Sequence, residues 1–203
     1  MRPRRLLAIW LVTAFLGCSL AVAMIGYRID LMGRLVDWTF VTAFSIFVAG
    51  FLGSSWLTCR YLVPGQEMRR PRALGLGLAS LIFIGLTIYA GLGGETPHDS
   101  TSLTNDLACC LRMAVGALIP NGILLGLVSK FAPFHARRVV LYIMITSTFV
   151  VTGVAQLNCP FDSLRHVMIG HGLLLLIVNV ATYGLYLVLF RTLCRNRTTA
   201  VSE

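Results

Sequence analysis

An all-α, polytopic membrane bundle is the fold class this sequence predicts, on three observations. Apolar stretches of about 20 residues, enough to cross a hydrocarbon core at 1.5 Å per residue, recur six times along a chain of 203 residues. The composition is 57% hydrophobic and only 12% charged, which soluble domains rarely reach. The basic residues gather in every second connection between the stretches.

The expected spans are Leu6–Gly26, Thr39–Tyr61, Ala73–Gly93, Leu107–Phe131, Val139–Leu157 and His171–Phe190. Together they form one transmembrane domain over 1–203 and leave no room for a soluble catalytic domain. The first span contains Phe15-Leu16-Gly17-Cys18, which is similar to a lipoprotein signal. Leu16 is large for a cleavage site and the apolar run continues through Ala23-Met24-Ile25, so a retained span is expected. The second and third spans carry small residues at interfacial spacing: Gly50 with Ser54, then Gly75, Gly77 and Ser80. Such residues let helices approach closely where lipid removes the hydrophobic drive for association. In the fourth span Arg112 lies about one turn inside, with Asp106 and Asp162 as candidate partners, and Pro120-Asn121 kinks the helix mid-span. Asn121 there and Asn179 in the sixth span are expected to make hydrogen bonds between helices.

Charge placement sets the expected orientation. Arg2, Arg4 and Arg5, then Arg60, Arg69, Arg70 and Arg72, then Lys130, Arg137 and Arg138, and finally Arg191, Arg195 and Arg197 share one side if the spans alternate. Asp30, Asp37, Glu95, Asp99, Asp106 and Asp162 fall on the other, with only Arg28, Arg34 and Arg165 among the basic residues and Arg112 just inside a span. Basic loops stay in the cytoplasm, so both termini are expected inside. The net charge of +9 then reflects topology, and no direct nucleic-acid contact is expected.

The sequence speaks against an enzyme. It has no Walker loop, HExxH or nucleophile elbow, and no CxxC pair for a membrane thiol–disulfide redox protein. A small transporter is disfavoured because no acidic residue lies near a midplane.

One group of residues stands out at the expected outer face. Cys109 and Cys110 open the fourth span, Cys159 closes the fifth, and His166 and His171 follow it. Adjacent cysteines on a helix point about 100° apart, so only one of the pair can face Cys159 well. A disulfide or redox pair is the leading expectation. The alternatives are a metal bound by thiolates and imidazoles, though the spacing is not that of a structural zinc motif, and thiols that merely pack. No cofactor is required by any motif.

At these residues the chain resembles the NrsF-type integral-membrane anti-sigma factors, negative regulators of an extracytoplasmic-function sigma factor. The resemblance runs through Arg28-Ile29-Asp30-Leu31, Leu62-Val63-Pro64-Gly65, Cys110-Leu111 with Pro120, Phe131-Ala132-Pro133, and Asn158-Cys159-Pro160-Phe161-Asp162-Ser163 with His171. It implies a sensor that holds its sigma factor inactive on the cytoplasmic side and releases it on a periplasmic stress signal. By position, Cys110 and Cys159 match the family's two outer-face cysteines, and Cys109 is extra. Family members usually begin with a longer cytoplasmic segment than Met1–Arg5, so the resemblance implies a chain that is mis-started, degenerate, or dependent on its other cytoplasmic loops, with Arg69–Arg72 and His135–Arg138 as candidate contacts.

Overall fold

In the computed structural model, residues 3–63, 136–159, 166–173 and 176–188 are described, with single residues and short runs between 74 and 126. Among the described residues the chain is helical, with no strand. The elements are α1 (Pro3–Ile25), α2 (Leu31–Arg34), α3 (Trp38–Leu62) and α4 (Ala136–Asn158). A last helix, α5, runs Val167–Val188 and opens as a π-helix over Val167–Leu173. Among the described residues, three segments are long and apolar enough to cross a membrane: Trp38–Leu62, Arg137–Asn158 and Val167–Val188. They coincide with the second, fifth and sixth expected spans, the last starting four residues earlier than Leu-rich composition alone suggested. The first expected span lies on α1, which continues through Cys18. The described residues of the third and fourth are helical; Leu78 and Leu124 are buried, while Ile84, Leu107, Leu111, Val115 and Ile119 are exposed.

The helices begin and end for local reasons. α1 stops at Gly26, whose φ of +91° is a left-handed conformation that glycine adopts without a Cβ penalty. The Gly26 amide donates back to the Val22 carbonyl at 2.9 Å. α3 starts at Asp37, whose carboxylate accepts from the Thr39 amide at 2.9 Å and the Thr39 hydroxyl at 2.7 Å, satisfying an otherwise unpaired first-turn donor. Those hydrogen bonds, from Thr39 first, hold the Asp37 carboxyl below its ordinary pKa.

α3 and α4 are antiparallel and form the main seam. Phe47 meets Phe149 with ring centroids 6.4 Å apart, and Tyr61 stacks on Tyr142 at 5.3 Å. Between these pairs the Phe149 ring lies on Gly50, where an added Cβ would collide with it. Gly50 is therefore the close-approach residue its spacing predicted, and Ser54 one turn later is fully buried. Hydroxyls line the same seam, each bonded within its own helix: Ser54 to the Gly50 carbonyl at 2.7 Å, Thr58 to Ser54 at 2.9 Å, and Thr146 to Tyr142 at 2.7 Å. Thr58 and Thr146 then face each other at 3.3 Å. α1 lies against both helices through Leu6, Trp10 and Ala14, and the Trp10 indole donates to Ser55 at 2.9 Å.

Both expected interhelical amide bonds are present. Asn121 donates to Thr182 at 3.4 Å and Asn179 to Thr148 at 2.8 Å. Arg112 is exposed, and its expected partners Asp106 and Asp162 lie outside the described residues.

This packing sorts the charges by end. The starts of α1 and α4 and the end of α3 share one end, with Arg4, Arg5, Arg60, Arg137 and Arg138. The opposite end holds Asp30 and Asp37, each paired to an arginine. That second end also carries Cys109, Cys159, His166 and His171.

Candidate metal centre

Three segments meet at the end of α4 that is remote from Arg137 and Arg138. Cys159 follows the last residue of α4, its amide still donating to the Ala155 carbonyl at 2.7 Å. Cys109 comes from the fourth expected span, where it packs with Val178 against Val151 and Ala155. His166 and His171 flank the start of the π-helix that opens α5. A π-helix takes an extra residue per turn, and both ring Nε2 atoms here meet a cysteine sulfur. The rings sit edge to face with centroids 5.1 Å apart.

One ligand atom from each of Cys109, Cys159, His166 and His171 lies within 4.8 Å of all the others. The sulfurs are 3.7 Å apart. Two thiolates on one tetrahedral zinc, with bonds of about 2.3 Å, sit about 3.8 Å apart, whereas a disulfide needs about 2.05 Å. Each sulfur also has its own imidazole: Cys109 Sγ to His171 Nε2 at 3.1 Å, and Cys159 Sγ to His166 Nε2 at 3.2 Å. His166, His171 and Cys159 are buried and Cys109 is half-buried. The hydrogen bond from Cys109, then those from His166 and His171, hold the Cys159 thiol below its ordinary pKa, and burial opposes them. A thiolate is the form that binds metal, and two thiolates with two imidazoles suit a borderline or soft ion such as zinc. Nδ1 of buried His171 has no partner among the described residues, whereas a ligating histidine ordinarily donates from its second nitrogen to an outer partner.

The residues below the cluster add polar groups that sequence reasoning missed. Thr148, Thr152 and Gln156 recur every fourth residue of α4 on the face that ends at Cys159. Thr148 is bonded to Asn179, but the Thr152 hydroxyl and both amide atoms of Gln156 find no partner among the described residues. Their regular spacing was the available clue.

Of the other residues singled out, Arg28 and Asp30 form a built feature. The guanidinium binds the carboxylate through two bonds, 2.6 Å and 3.0 Å, and lies over the Phe40 ring at 5.7 Å. The Arg28 amide donates to the Leu157 carbonyl at 2.9 Å, two residues from Cys159. The Arg28 bond, assisted by Arg34, lowers the Asp30 pKa from 3.8 to about 2 against the opposing effect of burial. Cys110, Pro64, Gly65, Pro120, Pro133, Pro160 and Asp162 lie outside the described residues. Cys109, the cysteine that the resemblance left without a counterpart, lies beside Cys159.

The family model for NrsF, negative regulator of sigma F, matches residues 1–191. The chain belongs to the NrsF family. It is thus a member of a family of sigma-factor antagonists, a regulatory rather than a catalytic class. No curated protein and no solved structure matches it.

Proposed function

We propose that this NrsF-family member is a multi-pass inner-membrane anti-sigma factor. It spans the bilayer six times as a single domain, keeps both termini in the cytoplasm, and sequesters an extracytoplasmic-function sigma factor there. A thiophilic metal ion taken up by Cys109, Cys159, His166 and His171 on the periplasmic side is the release signal. The observation that carries this reading is the convergence of those four ligand atoms within 4.8 Å.

α4 supplies the link between the two faces. At 23 residues it is about 35 Å long, with Cys159 beyond one end and exposed Arg137 and Arg138 at the other. The cluster joins the end of α4 to α5 and to the segment carrying Cys109. A ligand that binds only the drawn-together arrangement favours it by its differential affinity, and the seam with α3 carries the shift inward as a rigid-body movement. The arginine pair and the basic loops on that side are the surface offered to the sigma factor.

Oxidation of Cys109 and Cys159 to a disulfide is the second reading, favoured by the 3.7 Å between their sulfurs. One experiment separates the two. The full-length protein is purified in detergent with its genomically neighbouring sigma factor, then treated with zinc or cadmium, or with a mild oxidant. The metal reading expects the sigma factor to be released by the ion alone and restored to the complex by a chelator. Release by oxidant alone selects the disulfide. A sigma factor that never co-purifies removes both.

A further inference from the structure

The connector between α1 and α3 pairs its charges with one another, Asp30 remaining 47% exposed, and turns its apolar side chains out. Arg28 pairs with Asp30, and Arg34 bridges Asp30 and Asp37 at 3.2 Å each. The Arg28 side chain is fully covered. By contrast, Ile29 is 101% exposed, Val36 87%, Met32 81% and Tyr27 67%. A solvated loop shows the reverse arrangement, since apolar area left in water costs about 25 cal/mol per Å².

Two observations indicate what covers this face. The first is continuity: the connector leads directly into α3, a helix fit to cross a bilayer, whose first residue is an exposed Trp38. Trp and Tyr favour the headgroup level, where one side of the ring is wet and the other apolar. The second is charge. The two arginines and two aspartates cancel and are already paired, so the exposed surface presents apolar area with no net charge.

We propose that residues 27–38 form a membrane-interface anchor, with Ile29, Met32 and Val36 seated in the headgroup–acyl boundary of the outer leaflet, about 5–10 Å deep. This rests on the membrane reading above. The ion pairs are the internal neutralisation that lets the segment lie there, which gives the Arg28–Asp30 motif a purpose distinct from sensing. Through the Arg28 amide the anchor also holds the Leu157 end of α4, beside the cluster.

The test uses full-length protein in phosphatidylcholine vesicles, with a fluorescent amino acid at Ile29, Met32 or Val36, one site at a time. A further probe at Leu52, exposed on α3, reports the spanning surface. Lipids brominated high on the acyl chain should quench all three connector probes, while aqueous iodide should not. Adding phosphatidylglycerol should leave that quenching unchanged, because the segment has no net charge. Iodide quenching of the connector probes, with Leu52 still quenched by brominated lipid, overturns the anchor and spares the membrane reading. Iodide quenching at Leu52 as well removes both. Connector probes reached by neither quencher mean that a second copy or another protein covers the face, and the anchor fails.

Discussion

The two halves of α4 meet different polar surroundings. Where the inner half faces α3, each of Ser54 and Thr58 on α3 and Thr146 on α4 bonds a carbonyl one turn back in its own helix. Those hydroxyls are satisfied before any neighbour arrives, so the helices close tightly, down to the Gly50–Phe149 contact. Toward Cys159 the pattern fails. Thr152, Gln156 and His171 Nδ1 are buried with no partner among the described residues. An unpaired buried group costs about 1–3 kcal/mol, and sites that tolerate such a cost tend to be functional ones. The hydroxyls of the seam are satisfied, whereas mid-helix Ser147 and the outer-end groups have no partner among the described residues.

The comparison breaks most visibly if the outer end takes up no metal. Cobalt added to the purified protein should give the thiolate-to-metal absorption of a sulfur-ligated ion. Cys159→Ser and Cys109→Ser should each weaken binding by more than the about 10–100-fold that loss of an outer-sphere partner causes, and Cys110→Ser should leave it intact. Equal losses at Cys109 and Cys110 would contradict the geometry.

Next in size is an insult to the seam. Gly50→Leu forces a side chain into the Phe149 ring, and overpacking of this kind costs about 1–3 kcal/mol or more. A lowered unfolding midpoint in detergent is the measurement, and Phe149→Ala in the same chain should restore part of the loss.

A smaller effect, opposite in sign, sharpens the contrast. Gln156→Leu removes two unpartnered polar atoms at nearly constant volume, so the metal-free protein should be stabilised, by up to about 1–3 kcal/mol. Thr58→Val in the seam should instead destabilise it, by about 0.6 kcal/mol, the mean for hydrogen bonds between membrane helices. If both changes shift the unfolding midpoint the same way, the distinction drawn between the two halves of α4 is wrong.

The smallest effect is pH dependence at the connector. The folded Asp30 pKa, about 2 against an ordinary 3.8, means that ionised Asp30 contributes stability fully above about pH 4. That contribution is lost as pH falls through the folded value. Hydrogen exchange at the Arg28 amide should therefore lose protection between about pH 4 and 2, and Asp30→Asn should remove that dependence.

Much of this was legible in the chain itself. Span length, the segregation of arginine from aspartate, and the Gly50–Ser54 spacing follow from rules that act locally along a helix in lipid, and α3, α4 and α5 lie where those rules put them. Asn121 and Asn179 were equally readable, because an amide at membrane depth needs a partner. The cluster was readable only as a set of residue types near one face. Cys109, Cys159, His166 and His171 lie up to 62 residues apart, and no periodicity reports which side of one helix meets which side of another. The sequence determined which stretches are apolar enough to cross a membrane and which chemistry the thiols and imidazoles can offer. Only the tertiary structure decided that Cys109 lies beside Cys159, that a π-helix brings both imidazoles to the two sulfurs, and that Gln156 has no partner beneath them among the described residues. Those outcomes depend on the relative rotation of packed helices, and that rotation is set by the sum of many weak contacts spread over the whole seam.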